Sequence, residues 1–149
     1  MPIYAENRKA RFNYEFSEKY EAGIELLGLE VKAIRTGRLS LEGAFVLIRG
    51  GEAYLINATI APYQAENTPK DYDSMLNRRL LLTKEEIKKL LGSEKNKSLT
   101  IVPVSVYNKG KKLKVEIALA KGKKKYDKRE NIKKRETDRE IRREYSARG

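Results

Sequence analysis

The last fifth of this chain sets the terms for the rest. Residues 121–149 carry 13 basic and 6 acidic side chains, and their apolar content is limited to Tyr126, Ile132, Ile141, Tyr145 and Ala147. Apolar burial is what offsets the entropy lost on ordering a chain, and this stretch has too little of it to build a core. The folded body is therefore expected within residues 1–120, with 121–149 as a basic C-terminal tail. Of the formal net charge of +12 over 149 residues, +7 falls on the tail and +5 on the body. No proline interrupts the tail, and opposite charges recur at helical spacing: Glu130 with Lys134, Asp138 with Arg142, Glu136 with Arg139, Glu140 with Arg143. Each such pair stabilises a helix by only about 0.2–0.5 kcal/mol, and isolated helices of this length are marginal in water. The tail is expected to be disordered when free and helical only against a partner, most naturally an anionic one.

The body has the punctuation of short strands. Residues 12–16 alternate aromatic and polar side chains, and 20–27 continue in extended fashion to Gly28. A short helix is expected over 29–36, with Leu29, Ala33 and Ile34 on one side and Gly37 as a left-handed cap. Residues 44–48 and 53–58 form a hairpin across Gly50 and Gly51. From 61 to 79 the apolar rhythm fails around Pro62 and Pro69, predicting a long loop. After the brief apolar return at 80–82, Thr83 with Glu86 forms a capping box that starts a helix through Ile87, Leu90 and Leu91, with Gly92 as its stop. Residues 99–107 and 113–119 are strands rich in Val and Ile, and Pro103 inside the first predicts an edge or a bulge. About six strands, two short helices and no βαβ rhythm predict a mainly β protein, an antiparallel barrel of the oligonucleotide-binding type.

Composition removes several chemistries. With no Cys and no His there is no disulfide, thiolate or imidazole ligand, and no imidazole base. No apolar run approaches 18 residues and no export signal is evident at the start, so a cytoplasmic protein is expected. The acidic residues of the long loop, Glu66, Asp71 and Asp73, suit turn formation better than metal binding. Glu21 and Glu30 stand out as lone carboxylates in the first strand and helix; a bland reading makes them solvent-facing partners of Lys32 or Arg35. Basic residues cluster at strand ends and loops: Arg8, Lys9 and Arg11 beside Asn7; Arg78 and Arg79; Lys109, Lys111, Lys112 and Lys114; Lys121 with Lys123 to Lys125. Tyrosines between them supply stacking faces, and the whole suits a nucleic acid.

Five segments in colinear order, Asn7-Arg8-Lys9-Ala10-Arg11, Tyr20-Glu21-Ala22-Gly23-Ile24, Gly28-Leu29-Glu30-Val31-Lys32, Arg78-Arg79-Leu80-Leu81-Leu82 and the stretch from Ala118 through the Gly122-Lys123-Lys124-Lys125 block to Asp127-Lys128-Arg129, resemble the SsrA-binding protein (small protein B, SmpB) family. That resemblance implies an RNA-binding adaptor, not an enzyme and without a cofactor, for transfer-messenger RNA (tmRNA, or SsrA RNA) in the rescue of stalled ribosomes by trans-translation. It implies that the barrel holds the tRNA-like domain of the RNA, with Asn7, Glu21, Leu81, Lys114, Lys121 and Lys124 as tmRNA-binding residues. It also implies that the tail enters the empty messenger channel of the small subunit, where Tyr126, Asp127, Lys128 and Arg129 stand near the decoding centre. Elongation factor Tu is the further partner implied, in the delivery complex. No residue from Glu66 to Met75 is assigned a role in RNA binding. Two other classes fit the composition alone: a structural ribosomal protein, and a magnesium nuclease using the loop carboxylates.

Overall fold

A computed structural model of the chain describes residues 3–96 and 98–122. The expected tail beyond Gly122, including Lys124, Tyr126, Asp127, Lys128 and Arg129, lies outside the described residues. Within them are nine strands and three α-helices: β1 (Ile3–Glu6), α1 (Arg8–Asn13), β2 (Tyr14–Ile24), α2 (Gly28–Arg35), β3 (Leu39–Ser40), β4 (Phe45–Arg49), β5 (Glu52–Ile56), β6 (Thr59–Ile60), β7 (Arg78–Leu81), α3 (Lys84–Glu94), β8 (Leu99–Lys109) and β9 (Lys112–Gly122).

Every pairing is antiparallel. The strands β8, β4, β5, β7, β2 and β9 neighbour one another in that order, and β9 pairs back onto β8, closing a six-stranded barrel. The long strand β8 supplies one edge to two partners: its first half pairs with β4 through Ile101 and Val46, its second with β1 from Ser105 to Tyr107. Closure leaves few unpaired backbone groups to attract another chain. The expected mainly β barrel of the oligonucleotide-binding type is what forms.

Period-two alternation decides which side chains line the barrel. On β9, Leu113, Val115, Ile117 and Leu119 are buried in the core, while Lys114 and Glu116 between them point outward. Ala22 of β2 lies opposite Val115, and Leu80 of β7 opposite both Ala53 and Ile24, so the neighbouring strands add to the same interior. Ala33 and Ile34 from α2 and Leu90 from α3 join that cluster, which anchors both short helices to the barrel. Full burial of one such leucine is worth about 1.5–3 kcal/mol, more than any surface pair on these helices.

Several local expectations are met by visible chemistry. Gly50 and Gly51 both have positive φ, 59° and 76°, the conformation required of a two-residue hairpin between β4 and β5. Thr83 accepts from the Glu86 amide at 3.2 Å while its own amide donates to the Glu86 carboxylate at 3.0 Å, completing the capping box. Pro103 marks a bulge: the β8–β9 register shifts between Pro103 and Ser105. The carbonyls freed there are taken by Asn7, whose amide side chain donates to Pro103 O at 3.0 Å and whose backbone N–H donates to Val104 O at 2.9 Å.

Elsewhere the structure corrects the sequence reading. Residues 12 and 13 belong to a helix, because Asn7 Oδ1 caps the Ala10 amide at 3.1 Å and Ala10 seats against Val102 and Ala120, a second small cluster on the outside of the barrel. Gly92 does not end α3. The helix runs on to Glu94, whose carboxylate accepts from the Ile48 amide at 3.0 Å and from Arg49 at 3.1 Å, so its last turn is tied to β4. Strand β9 extends through Gly122, pairing Lys121 with Glu15 and Leu99.

Candidate nucleic-acid interface

Directly opposed residues of an antiparallel pair share a face, and this rule assembles the outward surface of four neighbouring strands. Tyr107 pairs with Lys114, Lys114 with Gly23, and Gly23 with Leu81. One row therefore crosses β8, β9, β2 and β7, spanning about 14 Å at the usual interstrand spacing. Two residues along β2 from Gly23, on the same face, stands Glu21. Glu21, Leu81 and Lys114, separated by up to 93 positions in the chain, thus meet on one patch.

The row is shaped by its smallest member. A Cβ placed on Gly23 would approach the Leu81 Cβ to 3.2 Å, so the absence of a side chain at 23 is what lets Leu81 lie flat over β2. Leu81 nevertheless keeps 47% of its surface exposed, an unusual state for a leucine flanked by core positions. Beside it opens a groove of about 320 Å³ with Leu26, Val31 and Leu81 as apolar walls and Arg35, Lys111, Lys112 and Lys114 as a cationic rim. Arg35 holds the rim in place by donating to the Lys111 carbonyl at 3.1 Å. Among the described residues, Lys111, Lys112 and Lys114 form no salt bridge within 4.0 Å. Their charge is available to an external anion.

Glu21 introduces a negative charge into this basic patch, and its neighbours keep it ionised. Tyr107 donates its hydroxyl to one carboxylate oxygen, and Lys109 donates to the other at 3.0 Å. The Tyr107 hydrogen bond, followed by that from Lys109, lowers the Glu21 carboxyl below its ordinary range, with Lys114 adding a smaller attraction. Burial of the ring, followed by the same contact, pushes the Tyr107 phenol well above its usual value. Glu116 lies directly opposite Glu21, an unfavourable like-charge pairing, and is answered by Lys19 at 3.7 Å. Glu21 is solvent-facing as the bland reading has it, but its cationic partner is Lys109 rather than Lys32 or Arg35.

Glu30 is corrected further. It is 1% exposed, and Arg78, 2% exposed, donates to its Oε2 from Nε at 3.0 Å and from Nη2 at 2.5 Å. The remaining Arg78 donors reach Ala58 O at 2.7 Å and Ser74 O at 3.0 Å, and the other Glu30 oxygen accepts from the Leu27 amide at 3.0 Å. The Tyr72 hydroxyl sits 3.0 Å from both Glu30 and the Ile60 carbonyl. This knot closes α2, β6, β7 and the end of the long loop onto one another. Arg78 therefore leaves the exposed basic set to which its neighbours assigned it. Arg79, one residue on and facing out, makes 3.1 Å pairs with Glu25 and Glu52.

The other expected contacts lie elsewhere. Asn7 is 4% exposed, with its side chain committed to the β8 bulge and the α1 cap. Lys121 is exposed at the far end of β9, seven residues from Lys114 and about 23 Å along the strand. Asp73, from the loop's acidic set, accepts from the Met75 amide at 2.9 Å in a turn, and among the described residues no group of three or more Asp, Glu, His or Cys is placed to hold a metal ion. No described helix is long and apolar enough to cross a membrane. Tyr107 was not found from the sequence. Its signal was the same alternation that exposes Lys114, once the β8–β9 register is known.

A small closed barrel of the oligonucleotide-binding type with a preformed basic and apolar outer face belongs to the class of nucleic-acid-binding domains. The model of the SmpB protein family matches residues 4–147. This chain belongs to that family. It is 50% identical over 141 residues to an SsrA-binding protein of Gloeothece citriformis, covering 95% of this chain and 91% of the relative. It is 49% identical to one of Enterococcus faecalis, covering 93% and 90%, and 46% identical to one of Halothermothrix orenii, covering 99% and 95%. A solved chain from work on tmRNA–SmpB in the bacterial ribosome superposes with a TM-score of 0.68 at 43% identity, covering 85% of this chain and 92% of the other.

Proposed function

We propose that this protein binds the tRNA-like domain of tmRNA and delivers it to stalled ribosomes, with elongation factor Tu in the delivery complex, for trans-translation and the tagging of incomplete polypeptides. The observation that carries this reading is the meeting of Glu21, Leu81 and Lys114 on one outward face of a barrel whose family is that of the SsrA-binding proteins. Lys114 and the lysines of the β8–β9 turn neutralise phosphates. Leu81 gives an apolar face to a base or sugar, and Glu21 accepts from base amino or 2′-hydroxyl groups while repelling phosphate. Asn7 acts through the bulge and helix it holds, so its part is positioning. Lys121 adds positive charge at the end of β9, and Lys124 is assigned to RNA binding with it. The tail would then probe the empty messenger channel, with Tyr126 suited to stacking and Lys128 and Arg129 to phosphate near the decoding centre. The adaptor itself performs no covalent step in this reading, and it works in the cytoplasm.

The test is a salt-dependent titration against the tRNA-like domain, with bulk rRNA fragments as competitor, using the full chain and a chain ending at Gly122. Selective binding by both, with tagging on stalled ribosomes lost only in the shortened chain, is expected. Equal affinity for bulk rRNA would favour a general rRNA-binding protein and overturn the adaptor reading. Loss of RNA binding together with tagging would overturn the division between barrel and tail.

A further inference from the structure

We propose that Tyr107 is a positioning residue for RNA recognition, holding the Glu21 carboxylate as a fixed hydrogen-bond acceptor on the binding face. The inference deepens the RNA-binding reading above and rests on it. β9 lies between β8 and β2, so the Tyr107 side chain must cross that strand to bring its hydroxyl to Glu21, and it does so while only 8% exposed. A tyrosine on the outer face of a barrel has no core reason to be this buried. Tyr107 stands in the same row as Lys114, directly opposite it on the neighbouring strand.

The consequence concerns freedom as much as charge. Glu21 is exposed, and a free glutamate there would sample several rotamers, most of them aimed away from a ligand seated over Lys114 and Leu81. Bound by Tyr107 at one oxygen and Lys109 at the other, the carboxylate is confined and keeps outward lone pairs for a donor. Removing this freedom before binding lowers the entropy lost on binding. The groups facing Glu21 are Tyr107 and Lys109 from β8 and Lys114 and Glu116 from β9, the last held by Lys19 of β2 itself. Of these, Tyr107 is the only neutral donor. It can therefore fix the carboxylate without adding a charge that phosphate would compete for.

Tyr107→Phe keeps the ring and removes the hydroxyl, and it is tested in the full chain with the tRNA-like domain as ligand. We expect affinity to fall about 2- to 10-fold, the range expected for one newly ordered side chain, with the salt dependence unchanged. In a cycle with Glu21→Gln the two penalties should not add, because the hydroxyl acts only through the carboxylate. Wild-type binding should persist as pH falls into the ordinary carboxylate range and weaken below it; Tyr107→Phe should weaken at a higher pH. NMR titration of the Glu21 side-chain carboxyl in the free protein should show its midpoint raised by Tyr107→Phe. Additive penalties, wild-type affinity in the variant, or an unmoved Glu21 midpoint would each overturn the positioning role and leave RNA binding itself standing. Failure of the wild-type protein to select the tRNA-like domain would instead remove the underlying reading, with the Glu21 midpoint still deciding whether Tyr107 fixes the carboxylate.

Discussion

Glu30 and Glu21 are the same residue type, each bonded to a basic side chain and near a tyrosine hydroxyl, yet they do opposite work. Glu30 and Arg78 are both about 1% exposed at their side chains, and every donor and acceptor around them is spoken for by the protein. Glu21 and Lys109 are 37% and 57% exposed, and the lysines nearby have charge to spare. A charge withdrawn from water is held only when fully paired, so the first site is rigid and closed to ligands. A half-exposed charge keeps its solvation and can exchange water for a partner, so the second site stays able to bind. Water access, rather than residue identity, separates scaffold from interface.

The largest effect is expected from breaking the closed pair. Arg78→Met leaves a buried carboxylate uncompensated and should lower unfolding free energy by about 3–5 kcal/mol in urea denaturation. Adding Glu30→Gln should recover part of that loss. If the double variant is less stable than Arg78→Met alone, the knot is not held by its charges and the contrast with Glu21 fails. The open site should show the reverse pattern. Glu21→Gln is expected to leave the urea midpoint unmoved while weakening binding to the tRNA-like domain by about tenfold, in keeping with loss of a charged acceptor. A fall in stability with unchanged binding would make Glu21 a scaffold residue after all.

Lys114→Ala should weaken binding and reduce the log–log salt slope by about 0.7 to 0.9, the signature of one lost phosphate contact. An unchanged slope would place Lys114 away from phosphate. A subtler probe is Gly23→Ala, which forces Leu81 to yield by a few tenths of an ångström from its 3.2 Å approach. We expect binding to weaken by about 2- to 3-fold with the salt slope unmoved, since only an apolar contact shifts. The smallest effect belongs to Arg79→Ala. Its pairs with Glu25 and Glu52 are exposed, and stability should change by less than about 1 kcal/mol. A loss near that of Arg78→Met would show that exposure does not control the value of an ion pair here.

Much of the barrel was legible because local rules agree with the fold. The double-glycine hairpin, the Thr83–Glu86 box and the bulge at Pro103 each follow from backbone chemistry that tertiary contacts do not override. Helix α1 was missed because its cap and its buried face depend on β8 and β9, which lie about a hundred residues away. Arg78 was misjudged for a different reason. Alternation back from buried Leu80 puts it on the core face, but a charged residue is assigned to solvent unless its partner is known, and Glu30 stands 48 positions earlier. On the proposed binding face, Glu21, Leu81 and Lys114 were expected from family resemblance, whereas Tyr107 and Gly23 emerged only from register.

What the sequence alone determined is the concentration of positive charge in the last fifth of the chain, the antiparallel barrel, and an anionic class of partner. These depend on composition, periodicity and turn chemistry, which act over a few residues. The tertiary structure decided which charges are usable. A carboxylate's role depends on whether another strand brings it an arginine in the dry interior or a tyrosine and a lysine at the wet surface. That outcome is set by register between distant segments, where a shift of one residue would exchange the two faces of every strand.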